Sequence, residues 1–144
     1  MLKNNGSRSS RLFLIELIIA ILFFSLGSAV CVQAFVRAHI TGREAKDLAF
    51  ASAAASSAAS VVRYSGEFTD CFPEAVRAED GAFLAWYGED YSPCAREEAA
   101  YALRVERETV DRTENALIRV YDGGEKLLYE LELRWPAAAE EGAA

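Results

Sequence analysis

Histidine is almost absent from this chain: His39 is the only one in 144 residues. Cysteine is scarce as well, with Cys31, Cys71 and Cys94 alone. General bases, zinc sites and thiol–imidazole pairs are built mainly from these two residue types. A lone histidine beside an apolar run assembles none of them. Cys71 and Cys94 are 23 residues apart, which is not the C-x-x-C spacing of redox or zinc sites. No glycine-rich loop that would cradle phosphate occurs, and Gly123-Gly124 reads as a turn. Asp80, Glu89 and Asp90 cluster near turns without the spacing of a calcium loop, and read as solvated turn residues. The expectation is a protein that is not an enzyme, with no cofactor, no metal site and no small-molecule substrate.

Basic charge is short in the second half. Residues 66–144 hold 19 of the 22 acids but 8 of the 15 Lys and Arg, a net of −11. Residues 1–65 carry a net of +4. An acidic domain has little with which to neutralise phosphates, so nucleic acid contact by this part is not expected. Its charge serves solubility instead.

Charge is missing altogether from Leu17 to Val36, twenty residues. At about 1.5 Å per residue such a helix spans ~30 Å, the hydrocarbon thickness of a bilayer. A cleavable secretory signal would have a shorter apolar region and a small-residue cleavage site, to which "SAVCVQA" is a poor match. The reading is a retained single-pass helix in contact with membrane lipid. Lys3, Arg8 and Arg11 on one flank balance Arg37, Arg43 and Lys46 on the other, so the positive-inside count is a tie. The acid-free tail and the cysteine pair tip the expectation to a cytoplasmic N-terminus and an extracytoplasmic C-terminal domain. In that compartment Cys71 and Cys94 suggest one disulfide, which would stabilise a small domain by about 2–4 kcal/mol.

One carboxylate, Glu16, stands at the start of the apolar run. It can snorkel to the interface. It can also meet a positive partner when helices pack, since burying a carboxylate is costly unless it is paired.

"FLIELIIAILFFSLGSAV" resembles the N-terminal segment of type IV pilins and of the pseudopilins of type II secretion and DNA-uptake machines. In that family a short basic leader ends in Gly and is removed by a prepilin peptidase. The mature chain then begins Phe-Thr-Leu-Ile-Glu. Leu14, Ile15 and Glu16 match the Leu-Ile-Glu. Leu12 would be the first mature residue, and Lys3, Arg8 and Arg11 match the leader. The resemblance implies that Glu16 pairs with the N-terminal amine of a neighbouring subunit and sets register between subunits. It covers about 25 residues. Arg11 stands where the family has Gly, Leu12 replaces Phe and Phe13 replaces Thr. A bulky charged residue before the cut should impair cleavage, and without cleavage Leu12 has no free amine. Arg11 is then a substitute cation for Glu16.

Beyond Val36 the pattern stays helical. "AKDLAFASAAASSAASVVRYSG" is rich in alanine, with Leu48, Ala51, Ala55, Ala58 and Val62 at spacings of three and four. Gly66 is the expected stop. Residues 67–81 read as a loop. The period then becomes two, giving strands over Ala82–Tyr87, "YALRVER", "ALIRVY" and "LLYELELRW", with "DGGEK" as a hairpin turn whose glycines take positive φ. The expected fold class is α+β and pilin-like: a long N-terminal helix, membrane-spanning in its first half, packed on a small antiparallel sheet of three or four strands. The expected organisation is a basic cytoplasmic leader (1–11), a transmembrane helix (12–36), its extracytoplasmic continuation (37–65), a sheet domain (66–136) and a disordered tail (137–144). The expected partners are other pilin-like subunits in a homo- or hetero-oligomer. The rival expectation is a membrane-tethered binding module that never polymerises.

Overall fold

The computed structural model describes residues 5–64, 68–123 and 125–137. Helix α1 runs Asn5–Tyr64 without a break. No proline precedes Pro73, so nothing in this stretch removes a backbone donor or clashes with the preceding turn. The chain divides into two units, residues 1–44 and 45–144. In the first, every residue from Ser9 to Glu44 is exposed.

The second unit is the last twenty residues of α1 and a five-stranded sheet. A four-residue helix, α2 (Phe68–Cys71), comes first. The strands are β1 (Val76–Arg77), β2 (Phe83–Tyr87), β3 (Tyr101–Val110), β4 (Thr113–Asp122) and β5 (Leu127–Pro136), and a 3₁₀ turn covers Arg96–Glu98. They pair antiparallel in the order β1-β2-β3-β4-β5, each beside its neighbour in sequence. The α+β class is as expected. The sheet has five strands where three or four were expected, and β1 forms inside the stretch read as a loop.

The sheet is amphipathic and the helix covers its apolar face. Leu103, Val105, Ile118 and Val120, at alternate positions of β3 and β4, are completely buried. Opposite them lie Ala51, Ala55 and Ala58, also fully buried, and Val62. The bulk comes from the strands, and alanine lets the helix backbone come close. Leu48 is not in this stripe and is half exposed. Its expected place is taken by Asp47 and Phe50, which make the contacts to the sheet domain at that turn.

The outer face is polar. Register sets Arg104 of β3 opposite Arg119 of β4, a like-charge pair that alone would destabilise the sheet. Acids surround it. Arg104 pairs with Asp80 and, at 2.6 Å, with Glu106 Oε1. Arg119 pairs with Glu130 at 2.8 Å and with Glu106 Oε2 at 3.6 Å.

Two turns stand out, and the second differs from expectation. β3 and β4 are joined through Asp111 and Arg112 alone, both left-handed at φ 48° and 64°. This is the two-residue hairpin geometry that glycine and asparagine favour. In "DGGEK" the described left-handed residue is Glu125, at φ 65°, not Gly123. Gly123 eases a close approach, since a Cβ there would sit 3.3 Å from the Ala100 carbonyl oxygen, a few tenths of an ångström tighter than ordinary contact. Gly124, the expected stop Gly66, most of the leader's side chains and residues 138–144 of the expected tail lie outside the described residues. Ala137, the first residue of that tail, is tied down by its N–H to the Arg112 carbonyl at 2.8 Å.

Candidate functional site

The apolar half of α1 is exposed among the described residues. From Leu12 to Ile40 its large hydrophobic side chains stay between 48% exposed, at Ile19, and 78%, at Phe24. At roughly 25 cal/mol per Å² of apolar surface, leaving such a run in water is strongly unfavourable, and a bilayer removes that cost. The helix is long and apolar enough to cross a membrane. Its polar side chains suit the setting. The Ser25 hydroxyl donates to the Ile21 carbonyl at 2.8 Å, and that of Ser28 to the Phe24 carbonyl at 2.9 Å. Both are satisfied within the helix and need no water. Gly27 leaves open space where a Cβ would be.

Leu14, Ile15 and Glu16 are successive residues of this helix, and all are exposed. Among the described residues, no cation lies within ion-pair distance of Glu16. Arg11 is five residues earlier, about 140° around an α-helix, so the two occupy different faces of one chain. A pair between them has to be made between chains. The Arg11–Leu12 peptide bond lies inside α1.

The disulfide expectation is corrected: no bond joins Cys71 and Cys94. Phe68 anchors α2 by packing on Phe83, at the start of β2, with ring centroids 5.0 Å apart. Cys94 is held near the other end of β2, its N–H donating to the Trp86 carbonyl at 3.0 Å. Phe83 and Trp86 are three residues apart, about 10 Å along a strand, so the two cysteines are held by different parts of the sheet. Burial, then the carboxylates of Glu98, Asp90 and Glu74, pushes the Cys94 thiol pKa up, away from the reactive thiolate.

The acidic turns are turn residues. Asp80 Oδ1 accepts the Ala82 N–H at 3.1 Å, which with Arg104 holds its carboxyl below the ordinary value. Asp90 accepts the Ser92 hydroxyl at 2.6 Å and the Ser92 N–H at 3.1 Å, with the same effect. Among the described residues, no three His, Cys, Asp or Glu side chains gather closely enough to hold a metal.

Sequence reasoning passed over a cluster within the second unit. Asp47 of α1 accepts two phenolic hydrogen bonds on one oxygen, from Tyr101 at 2.7 Å and from Tyr91 at 2.9 Å. Phe50, one turn on, stacks on Tyr91 at 4.8 Å and meets Tyr87 edge-on at 5.2 Å. Tyr91 reaches this position through a left-handed backbone at φ 63°. The cluster locks the β2–β3 connection onto the helix. Desolvation first, then the Asp47 hydrogen bond, raises the Tyr101 pKa above its ordinary 10.0. The sequence shows an acid one turn ahead of an aromatic at the start of the alanine stripe, and nothing that sets this acid apart from its neighbour Glu44.

Comparison with protein-family models, curated proteins and solved structures finds no match to this chain.

Proposed function

We propose that the protein is a single-pass, pilin-like subunit of a type II secretion-like or type IV pilus-like assembly, with its N-terminus cytoplasmic and its sheet domain extracytoplasmic. It works by association of apolar helices, not by catalysis. Its partners are lipid and other pilin-like subunits. The observation that supports this is Glu16: an exposed carboxylate with no cation within ion-pair distance among the described residues, at the head of an exposed apolar helix. Lipid is a poor place for an unpaired carboxylate. A cation from a neighbouring helix removes the cost and fixes how far one helix slides along the next. Leu14 and Ile15 match the flank that the resemblance assigns to that contact. The intact mass of the chain recovered from its host's membranes tests the family mechanism. The proposal expects a chain that starts at Leu12, whose free amine meets Glu16 of the neighbour.

A second reading, a tethered module that does not polymerise, is favoured by Arg11. That residue stands where the family's glycine would be, and the bond to be cut is helical. A full-length mass takes the amine away from Glu16 and moves the weight to this reading, or to an assembly in which Arg11 of a neighbour is the cation.

A further inference from the structure

We propose that the outer face of the sheet carries a binding trough for an extended, proline-rich segment of another protein, gripped between Trp86 and Tyr121. The register builds it. Trp86 of β2 lies opposite Ala102 of β3, and Ala102 lies opposite Tyr121 of β4. Directly opposed residues share a face, and the neighbours Tyr87, Leu103 and Val120 are buried on the other one. Trp86, Ala102 and Tyr121 are therefore a row of three on the outer face. Adjacent strands are about 4.8 Å apart, so the aromatic walls stand roughly 9.6 Å apart over an alanine floor. One ring placed midway lies roughly 4.8 Å from each wall, so the gap takes a single ring of saturated carbons and no second one. The cavity measures about 680 Å³, and Arg96 and Glu125 are also in its lining.

The free polar groups choose the occupant. Among the described residues, the Trp86 indole N–H and the Arg96 guanidinium have no hydrogen-bond partner, and the Tyr121 hydroxyl is also unused. Of the carboxylates lining the trough, Glu106 and Asp122 are engaged and Glu125 is left. Glu106 is taken by Arg104 and Arg119. Asp122 receives the Lys126 N–H at 3.3 Å. What remains is mostly donors. A polyproline segment offers carbonyl acceptors and no backbone N–H, which is the complementary set. A sugar needs acceptors as much as donors, and meets one carboxylate not already engaged, that of Glu125. A polyproline II segment is also stiff before it binds, so docking costs it little entropy, and aromatic-walled grooves are how such segments are held. Arg104 and Arg119 at the end of the trough are neutralised by Asp80, Glu106 and Glu130, so no ion is drawn in. The exposed Glu125 on the rim favours a basic residue flanking the prolines.

The test uses the full chain in detergent micelles and a fluorescent ten-proline peptide with a terminal lysine, read by anisotropy. Saturable binding in the sub-millimolar range is expected. Ala102→Leu fills the floor and should weaken binding roughly tenfold or more with unchanged circular dichroism. Trp86→Leu, on the same half-exposed face, should do the same and serves if Ala102→Leu fails to fold. The proposal is overturned by any of three results: no saturable binding, equal binding by a folded variant, or a preference for a chito- or cello-oligosaccharide over the peptide.

Discussion

Asp47 shows how much a single residue decides in this domain. It is half-buried, and accepts two phenolic hydrogen bonds from different parts of the sheet domain. Hydrogen bonds to a charged group contribute about 1.5–3 kcal/mol each. Tyr101→Phe removes one, and should lower the stability of the detergent-solubilised chain by ~1–2 kcal/mol in a thermal or denaturant scan. The sign with pH follows from the raised Tyr101 pKa. The folded state holds this proton more tightly, so its stabilising share is fully present below 10.0, the ordinary value, and is lost as pH rises above it. Wild type should lose stability above that pH faster than Tyr101→Phe does, and parallel slopes would exclude the clamp as the cause. Arg112 is a second position of this kind. Its left-handed backbone, at φ 64°, costs an L residue about 1 kcal/mol. Arg112→Gly should raise the midpoint of unfolding. Neither residue was legible beforehand. Asp47 reads in the sequence as one of several flanking acids, and "VDRT" contains no glycine to announce a turn.

At the level of elements much more was legible, because periodicity reports burial directly. The strands over residues 101–107, 116–121 and 127–135 were evident from alternation, and each is slightly longer in the structure. The alanine stripe was evident from spacing. Ala51, Ala55, Ala58 and Val62 are buried where the pattern placed them, while Leu48 fails because Asp47 and Phe50 occupy that turn. Residues 68–77 gave no signal, since α2 and β1 are four and two residues long, too short for a period. The stripe makes a prediction of its own. Ala55 is fully buried under the sheet, so Ala55→Leu must push helix and strands apart, at a cost of about 1–3 kcal/mol. Ala53→Leu, on the exposed side, is the control and should change stability by less than about 0.5 kcal/mol. Equal effects of the two would contradict this packing.

The whole molecule joins an acidic sheet domain to a helix whose apolar side chains are exposed among the described residues. An anchored chain should stay in the pellet when membranes are washed with alkaline carbonate, and should leave it only with detergent; release by carbonate would remove the bilayer from the account. The candidate site was legible as one anomaly, a carboxylate at the head of a charge-free run. Its partner was not legible, because a contact between chains leaves no pattern in one chain. The measurement that addresses the central claim most directly compares wild type with Glu16→Leu in membranes of the native host, by the fraction of the protein that sediments in high-mass assemblies after mild solubilisation. The account predicts that Glu16→Leu inserts as well as wild type, survives the carbonate wash, and falls out of the high-mass fraction by roughly a hundredfold, since removing one partner of a buried ion pair costs about 3–5 kcal/mol. Equal sedimentation of the two proteins would contradict it, and would leave a tethered domain whose helix serves as an anchor alone.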